Sequence, residues 1–259
     1  MNKPQKSVEG AQSVFRALDL LGLIARQHAE GAALADLVEA TGLDRTTVYR
    51  LVGTLEHEHL VERDAVTRRY RLGMEAMQIG LTTMGRAPIL DECTPAMLEV
   101  ARASEDTVFL IVRNGDFAHC LHLEQGTFPI RTVTQHVGGM RLLGLGTAGL
   151  ALLATLPDVE MDAIYRRHPD EYERHGLTNA RLSKQVQQIR ADGHAVTVDV
   201  ITHGVCGVGV AFEIGHGGHA ALSVASIIDR MPPPRRLWLA ELMRTQLRAR
   251  GFTPVAGTA

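Results

Sequence analysis

The 259-residue sequence predicts an α+β chain built from two domains. Two observations carry this. From residue 13 to residue 72, three apolar stripes at helical spacing are followed by two short β-rich runs. From Thr107 onward the period changes, and strands arranged in hairpins alternate with helices. Such an order gives an antiparallel sheet flanked by helices. The boundaries expected are a first domain over residues 1–73, a linker helix over 74–88 and a second domain over 89–259.

The first helix is expected from Ser13 to Gln27, where Val14, Ala17, Leu18, Leu21 and Ile24 recur at spacings of three and four. The stretch Ala33 to Leu55 then reads as two short helices joined by a tight turn. Leu34, Leu37 and Val38 share one face of the first. Gly42 supplies the left-handed position that ends it. Asp44 stands at the entry of the next helix, where a carboxylate suits exposed N–H groups and the positive end of the dipole. Val48, Leu51, Val52 and Leu55 form that helix's apolar stripe. Leu60 to Arg63 and Arg69 to Leu72 suit short strands around a polar tip, Asp64 to Thr67.

A linker helix follows from about Met74 to Met84 and breaks at Gly85-Arg86-Ala87-Pro88. A helix over roughly Ile89 to Ala103 contains Pro95, expected to kink or divide it. Thr107 to Arg113 and Phe117 to Leu123 form a hairpin about Asn114-Gly115-Asp116. Phe128 to Thr134 reads as a third strand with Pro129 near its start or edge. Helices are expected over Thr147 to Leu156, Asn179 to Asp192 and Arg235 to Arg250. Strands are expected over Val196 to Val200, Cys206 to Phe212 and Ala220 to Ile227.

The chemistry of the first domain lies on the polar side of its third helix. Arg45, Thr46, Thr47, Tyr49 and Arg50 supply donors for phosphates and guanine edges and apolar contact for thymine methyls. This is the pattern of a helix-turn-helix whose second helix enters the major groove of double-stranded DNA. Arg63, Arg68, Arg69 and Arg71 make the following hairpin basic, as a wing that touches the backbone would be, with Arg68 and Arg69 as the backbone-holding pair. The bland alternative is an ordinary two-helix corner with a solvated hairpin.

In these segments the chain resembles the IclR-type transcriptional regulators. The residues that carry the resemblance are Ser13-Val14-Phe15-Arg16-Ala17-Leu18-Asp19-Leu20-Leu21, Leu34-Ala35-Asp36-Leu37 and Thr41-Gly42-Leu43-Asp44-Arg45-Thr46-Thr47-Val48-Tyr49-Arg50-Leu51. Val61-Glu62-Arg63-Asp64 and Arg69-Tyr70-Arg71-Leu72-Gly73 extend it, and it continues through nearly the whole chain. It implies a winged helix-turn-helix, a linker that relays a signal, and a C-terminal GAF-like α/β effector-binding domain. Asp44 stands where the family often has proline. Gly53 lies inside the recognition helix, at a cost of about 1 kcal/mol relative to alanine.

A second candidate site is Gly144-Leu145-Gly146-Thr147-Ala148-Gly149. As a string it satisfies G-x-G-x-x-G, but a dinucleotide site needs a βαβ unit and an acidic residue about 20 positions on. Asp158 and Asp162 fall in a helical or loop region instead. The loop opens a helix, so bare N–H groups face any anion placed there, and a small carboxylate is a natural occupant. Close packing of loop on sheet is the bland alternative. The resemblance implies that the loop borders an effector pocket. Many relatives carry a Leu-His pair where this chain has Leu145-Gly146-Thr147. The same resemblance makes the strands around Cys206-Gly207 and Ser223 the other walls. Side chains two apart share a strand face, so Ser223 and Ala225 belong together. Cys206 is the weaker neighbour, since a buried small hydrophobe explains it better. The candidate effector residues are Gly144, Leu145, Gly146, Cys206, Gly207, Ser223 and Ala225.

Other classes are disfavoured. His119, Cys120 and His122, with His203 and Cys206 or His216 and His219, suggest a metal. Neighbouring strand positions face opposite sides, however, and no paired Cys-x-x-Cys appears. Nothing in sequence activates Cys120 as a nucleophile. No metal, cofactor or catalytic residue is therefore expected. No apolar run approaches the ~20 residues of a membrane helix, and no signal peptide is evident. Three widely spaced cysteines suit free thiols in a reducing cytoplasm. Net charge is −2, and residues 1–86 hold eleven Lys plus Arg against eleven Asp plus Glu. Phosphate affinity must then come from local clustering. Neutrality favours a homo-oligomer, a dimer or dimer of dimers, that doubles the contacts. The expected function is a DNA-binding regulator whose operator binding responds to a small carboxylic or aromatic acid. The alternatives are a small-molecule enzyme with an accessory helix-turn-helix, and a constitutive DNA-binding protein with a vestigial sensor.

Overall fold

The computed structural model describes residues 11–84, 88–215 and 218–257. The chain divides into two compact units between Ala87 and Pro88.

In the first unit, α1 (Gln12–Arg26), α2 (Leu34–Thr41) and α3 (Arg45–His57) pack with a two-stranded antiparallel hairpin, β1 (Val61–Arg63) and β2 (Tyr70–Leu72). Leu20, Ile24, Leu37, Val48, Val52, Val61 and Tyr70 form its buried core. Gly42 ends α2 in the left-handed conformation, at φ 65°. Asp44 caps α3: its carboxylate accepts the Thr47 N–H at 2.9 Å and the Thr47 hydroxyl at 2.6 Å. The hairpin tip is also built on a carboxylate. Asp64 Oδ1 accepts the N–H groups of Val66 and Thr67, and Arg68 turns the chain at φ 61°. The linker helix α4 spans Met74–Met84.

The second unit is one six-stranded antiparallel sheet in the order β5-β4-β3-β8-β7-β6. Its strands are β3 (Thr107–Asn114), β4 (Phe117–Glu124), β5 (Met140–Leu142), β6 (Ala195–Val198), β7 (Val205–Ile214) and β8 (Gly218–Ile227). One face packs on α5 (Pro88–Ser104) and α10 (Pro233–Arg248), through Met97, Val100, Val208, Val210, Leu239 and Met243. The other face packs on α6 (Thr147–Ala154), with α7 (Asp158–Arg167), α8 (Pro169–Arg174) and α9 (Asn179–Asp192) around it.

Two expectations are corrected here. Residues 128–134 are not a strand. The segment 138–142 occupies the β4 edge instead, with the Cys120 N–H bonded to Gly139 O and Phe117, Ala118 and His119 paired to β5. Pro129 has no N–H to offer a ladder, and Ile130 and Val133 lie about half exposed. Pro95 does not divide α5, which is one helix from Pro88 to Ser104. The helix runs unbroken because Cys93, Ala96, Met97 and Val100 are fully buried along one face.

The feature that positions the later site is the approach of α6 to β7. Residues Ala148 to Ala154 of this helix are all buried, and Thr147 lies directly against Gly207. A β-carbon at Gly207 would overlap the Thr147 hydroxyl oxygen, and one at Gly209 would lie 3.2 Å from Thr147 Cγ2. Only glycine at these positions lets the helix start this close to the sheet.

Two expected outcomes follow. Gly207→Ala destabilises the protein by about 1–3 kcal/mol in urea unfolding, the range for an overpacked core, and adding Thr147→Ala recovers part of the loss. The bonds from Thr47, first its hydroxyl and then its N–H, hold the Asp44 carboxyl below the usual carboxylate range. The folded value lies below the unfolded one. The cap's contribution is therefore complete above the unfolded value and lost as pH falls through the folded one. Asp44→Ala lowers the melting temperature at pH 7, Asp44→Asn largely does not, and the gap between Ala variant and wild type narrows below about pH 4.

Candidate nucleic-acid interface and interior cavity

The polar side of α3 is open to solvent. Arg45, Thr46, Tyr49 and Arg50 are exposed, Tyr49 by 56%. None of Arg45, Tyr49 or Arg50 uses its side chain in an ion pair or hydrogen bond among the described residues. Thr47 differs: it is half-buried and its hydroxyl is engaged by Asp44. It serves the helix cap, with only its methyl left for contact. The two wing arginines also divide. Arg68 is exposed at the tip. Arg69 is half-buried and donates from Nη1 to Gly31 O at 2.7 Å, fastening the wing to the loop after α1. Arg63 lies over the Tyr70 ring at 5.2 Å and donates to Arg68 O, which stiffens the hairpin from within.

In the second unit a cavity of about 50 Å³ opens where α6 meets the sheet. Leu145, Gly146, Gly207, Ser223 and Ala225 line it, as the sequence led us to expect. Gly144 and Cys206 do not. Gly144, at φ 84°, turns the chain beneath Leu153, Leu182 and Tyr172. The register explains Cys206. Gly207 pairs with Ala225 and Gly209 with Ser223, so these residues share the α6 face. Cys206 pairs with Ser226 and lies in the core on the α5 and α10 face. Burial raises its thiol above the ordinary range. Cys120 is buried too, its thiol pushed up to about 11 by desolvation. Neither cysteine is an activated nucleophile.

Two further residues complete the cavity. Thr197 of β6 meets Thr147 hydroxyl to hydroxyl at 2.5 Å. Arg141 of β5 enters from the opposite edge and donates from Nη2 to Thr134 O at 2.9 Å. No carboxylate pairs with Arg141 among the described residues, and burial disfavours its charged form. A β-carbon on Gly146 would lie 3.0 Å from Arg141 Nη1, so the glycine leaves room for the guanidinium at the start of α6. Gly146 is the N-cap of α6 at φ 79°, and no side chain caps the helix. A cation and the positive pole of a helix dipole thus meet at one partly open cavity. Sequence reasoning missed Arg141 because it placed the edge strand at 128–134. A strand at 140–142 would have put this arginine directly before the glycine loop.

No three His, Cys, Asp or Glu residues come together as a metal cluster among the described residues; His216 lies outside them. No described helix is long and apolar enough to cross a membrane.

Comparison with known proteins agrees with this geometry. Residues 13–65 match the IclR helix-turn-helix domain, and residues 81–249 match the bacterial transcriptional regulator IclR C-terminal domain. The chain is 31% identical over 205 residues to the HTH-type transcriptional regulator Rv1719 of Mycobacterium tuberculosis, covering 79% of this chain and 78% of that protein. It is 27% identical over 237 residues to the regulator KipR of Bacillus subtilis, covering 90% and 93%. Among solved structures, an IclR family regulator from Brucella abortus superposes with TM-score 0.75 at 19% identity, covering 95% of each chain. An IclR homologue from Microbacterium hydrocarbonoxydans, solved with 4-hydroxybenzoate, superposes with TM-score 0.69 at 18% identity, covering 92% of this chain and all of that one. These relatives are regulators rather than enzymes, and the chain belongs to the IclR family of DNA-binding bacterial transcriptional regulators.

Proposed function

We propose that this regulator binds a double-stranded operator as a homo-oligomer and that a compact organic acid in the α6 cavity adjusts its affinity. On this reading Arg45, Thr46, Tyr49 and Arg50 read the major groove, and Arg68 reaches the backbone. The observation that carries the effector reading is the pairing of Arg141 with the uncapped N-terminus of α6. Both are positive, Arg141 is partly buried, and no carboxylate among the described residues pairs with it. A carboxylate placed between them accepts N–H groups from both, in the charge-assisted geometry that gives the strongest hydrogen bonds. The hydroxyls of Thr147, Thr197 and Ser223 line the same cavity and suit a second polar group of the ligand.

Size narrows the class. One water needs roughly 10–15 Å³ of such volume, so about 50 Å³ admits a ligand of a few heavy atoms. A short aliphatic acid fits the cavity as it stands. An aromatic acid, such as the 4-hydroxybenzoate seen with the Microbacterium homologue, is bulkier than this volume and would extend beyond it. The neutral alternative, a constitutive DNA-binding protein, leaves Arg141 without an electrostatic reason for its position.

The expected outcome in a thermal-shift screen is stabilisation by two- to four-carbon carboxylic acids and not by their amides. Saturation at 100 times Kd stabilises by about 2.7 kcal/mol. Arg141→Gln loses the acid-dependent shift while its ligand-free melting temperature is kept or raised. If no acid shifts the wild type, or if Arg141→Gln responds as the wild type does, the reading is wrong.

A further inference from the structure

A groove runs between α1 and α3, lined by Ser13, Arg16, Thr47, Arg50, Thr54 and His57, with Gly53 at its wall. We propose that it seats one strand of the DNA backbone, with Arg16 as a phosphate ligand and Gly53 as the point of closest approach. This rests on DNA binding by α3 and is independent of the effector.

Two separate observations support it. The first is Gly53. It lies mid-helix, where glycine is costly, and a β-carbon built on it would meet nothing within 4 Å. The fold therefore does not require glycine here. Gly53 follows Tyr49 by four residues and Arg50 by three, so it continues the exposed stripe formed by Thr46, Tyr49 and Arg50. A helix that must lie close against a backbone needs a residue without a side chain at that height.

The second is Arg16. It is half-buried on α1, an element outside the helix-turn-helix pair. Its guanidinium has no hydrogen-bonding or ionic partner among the described residues, and it shares the groove with Arg50. Ser13 and His57 add donors along the same channel, while the Thr54 hydroxyl donates to Arg50 O at 3.1 Å. With Arg50 turned to the adjoining major groove, Arg16 faces the open groove with no carboxylate beside it, a phosphate site by the chemistry of its donors. The unit as a whole is electrically neutral, so each local cation of this kind carries a large share of the backbone attraction.

The test uses the full chain and two probes: a duplex selected from a randomised pool by the wild type, and a random-sequence duplex. Gly53→Ala is expected to raise the melting temperature by about 3 °C while weakening binding to both duplexes. Arg16→Ala is expected to weaken both equally, by about eightfold at 0.1 M salt, and to reduce the slope of log affinity against log salt by about one. A more stable Gly53→Ala that binds DNA as well as the wild type overturns the close approach. An unchanged salt slope in Arg16→Ala overturns the phosphate contact. A loss confined to the selected duplex does the same, because it would assign these residues to base reading.

Discussion

The second unit depends on one packing constraint: α6 is buried from Ala148 to Ala154 and begins in contact with β7. Its sequence offers the first N–H groups of the helix no capping side chain, because Gly146 occupies the cap. Gly207 and Gly209 remove the side chains that would hold the helix away from the sheet. Arg141 then stands at the end of the helix where a cation is least welcome. On the proposed reading, an anion in the adjoining cavity offsets both charges together. The same features that look like defects in a fold are those expected of a ligand site.

The first unit works by a different economy. Its apolar core is small but complete, and its helix entry and hairpin tip are each organised by one aspartate. Thr47 and Arg69 are drawn into holding that frame, which leaves Arg45, Thr46, Tyr49, Arg50 and Arg68 unencumbered. Overall neutrality means that binding rests on where these few groups lie rather than on how many there are.

Most of this was legible in the sequence where local physics decides. Helical period, the left-handed glycine at 42 and the carboxylate at 44 act within a few residues, and α2, α3 and α9 begin and end where those signals fall. What failed was competition between distant segments. Residues 128–134 have strand-like composition, but the β4 edge is taken by 138–142, and no local pattern reveals which segment wins. The same limit applied to the cavity. Spacing of two placed Ser223 and Ala225 on one face, but which face of β7 joined them depended on inter-strand register. That register chose Gly207 and excluded Cys206. Arg141 was hidden for the same reason, since its role follows only once its strand is placed.

On the proposed reading, acid binding at α6 and operator binding at α3 are coupled. Linkage requires the coupling to be reciprocal: an acid that changes operator affinity by some factor must have its own affinity changed by the same factor when operator is present. The direct measurement is calorimetric titration of a stabilising acid into the free protein and into its complex with selected duplex, beside DNA titrations with and without acid. Equal factors are expected, roughly 5- to 150-fold for typical coupling, with no coupling in Arg141→Gln. An acid that binds with the same affinity to free and DNA-bound protein would contradict it.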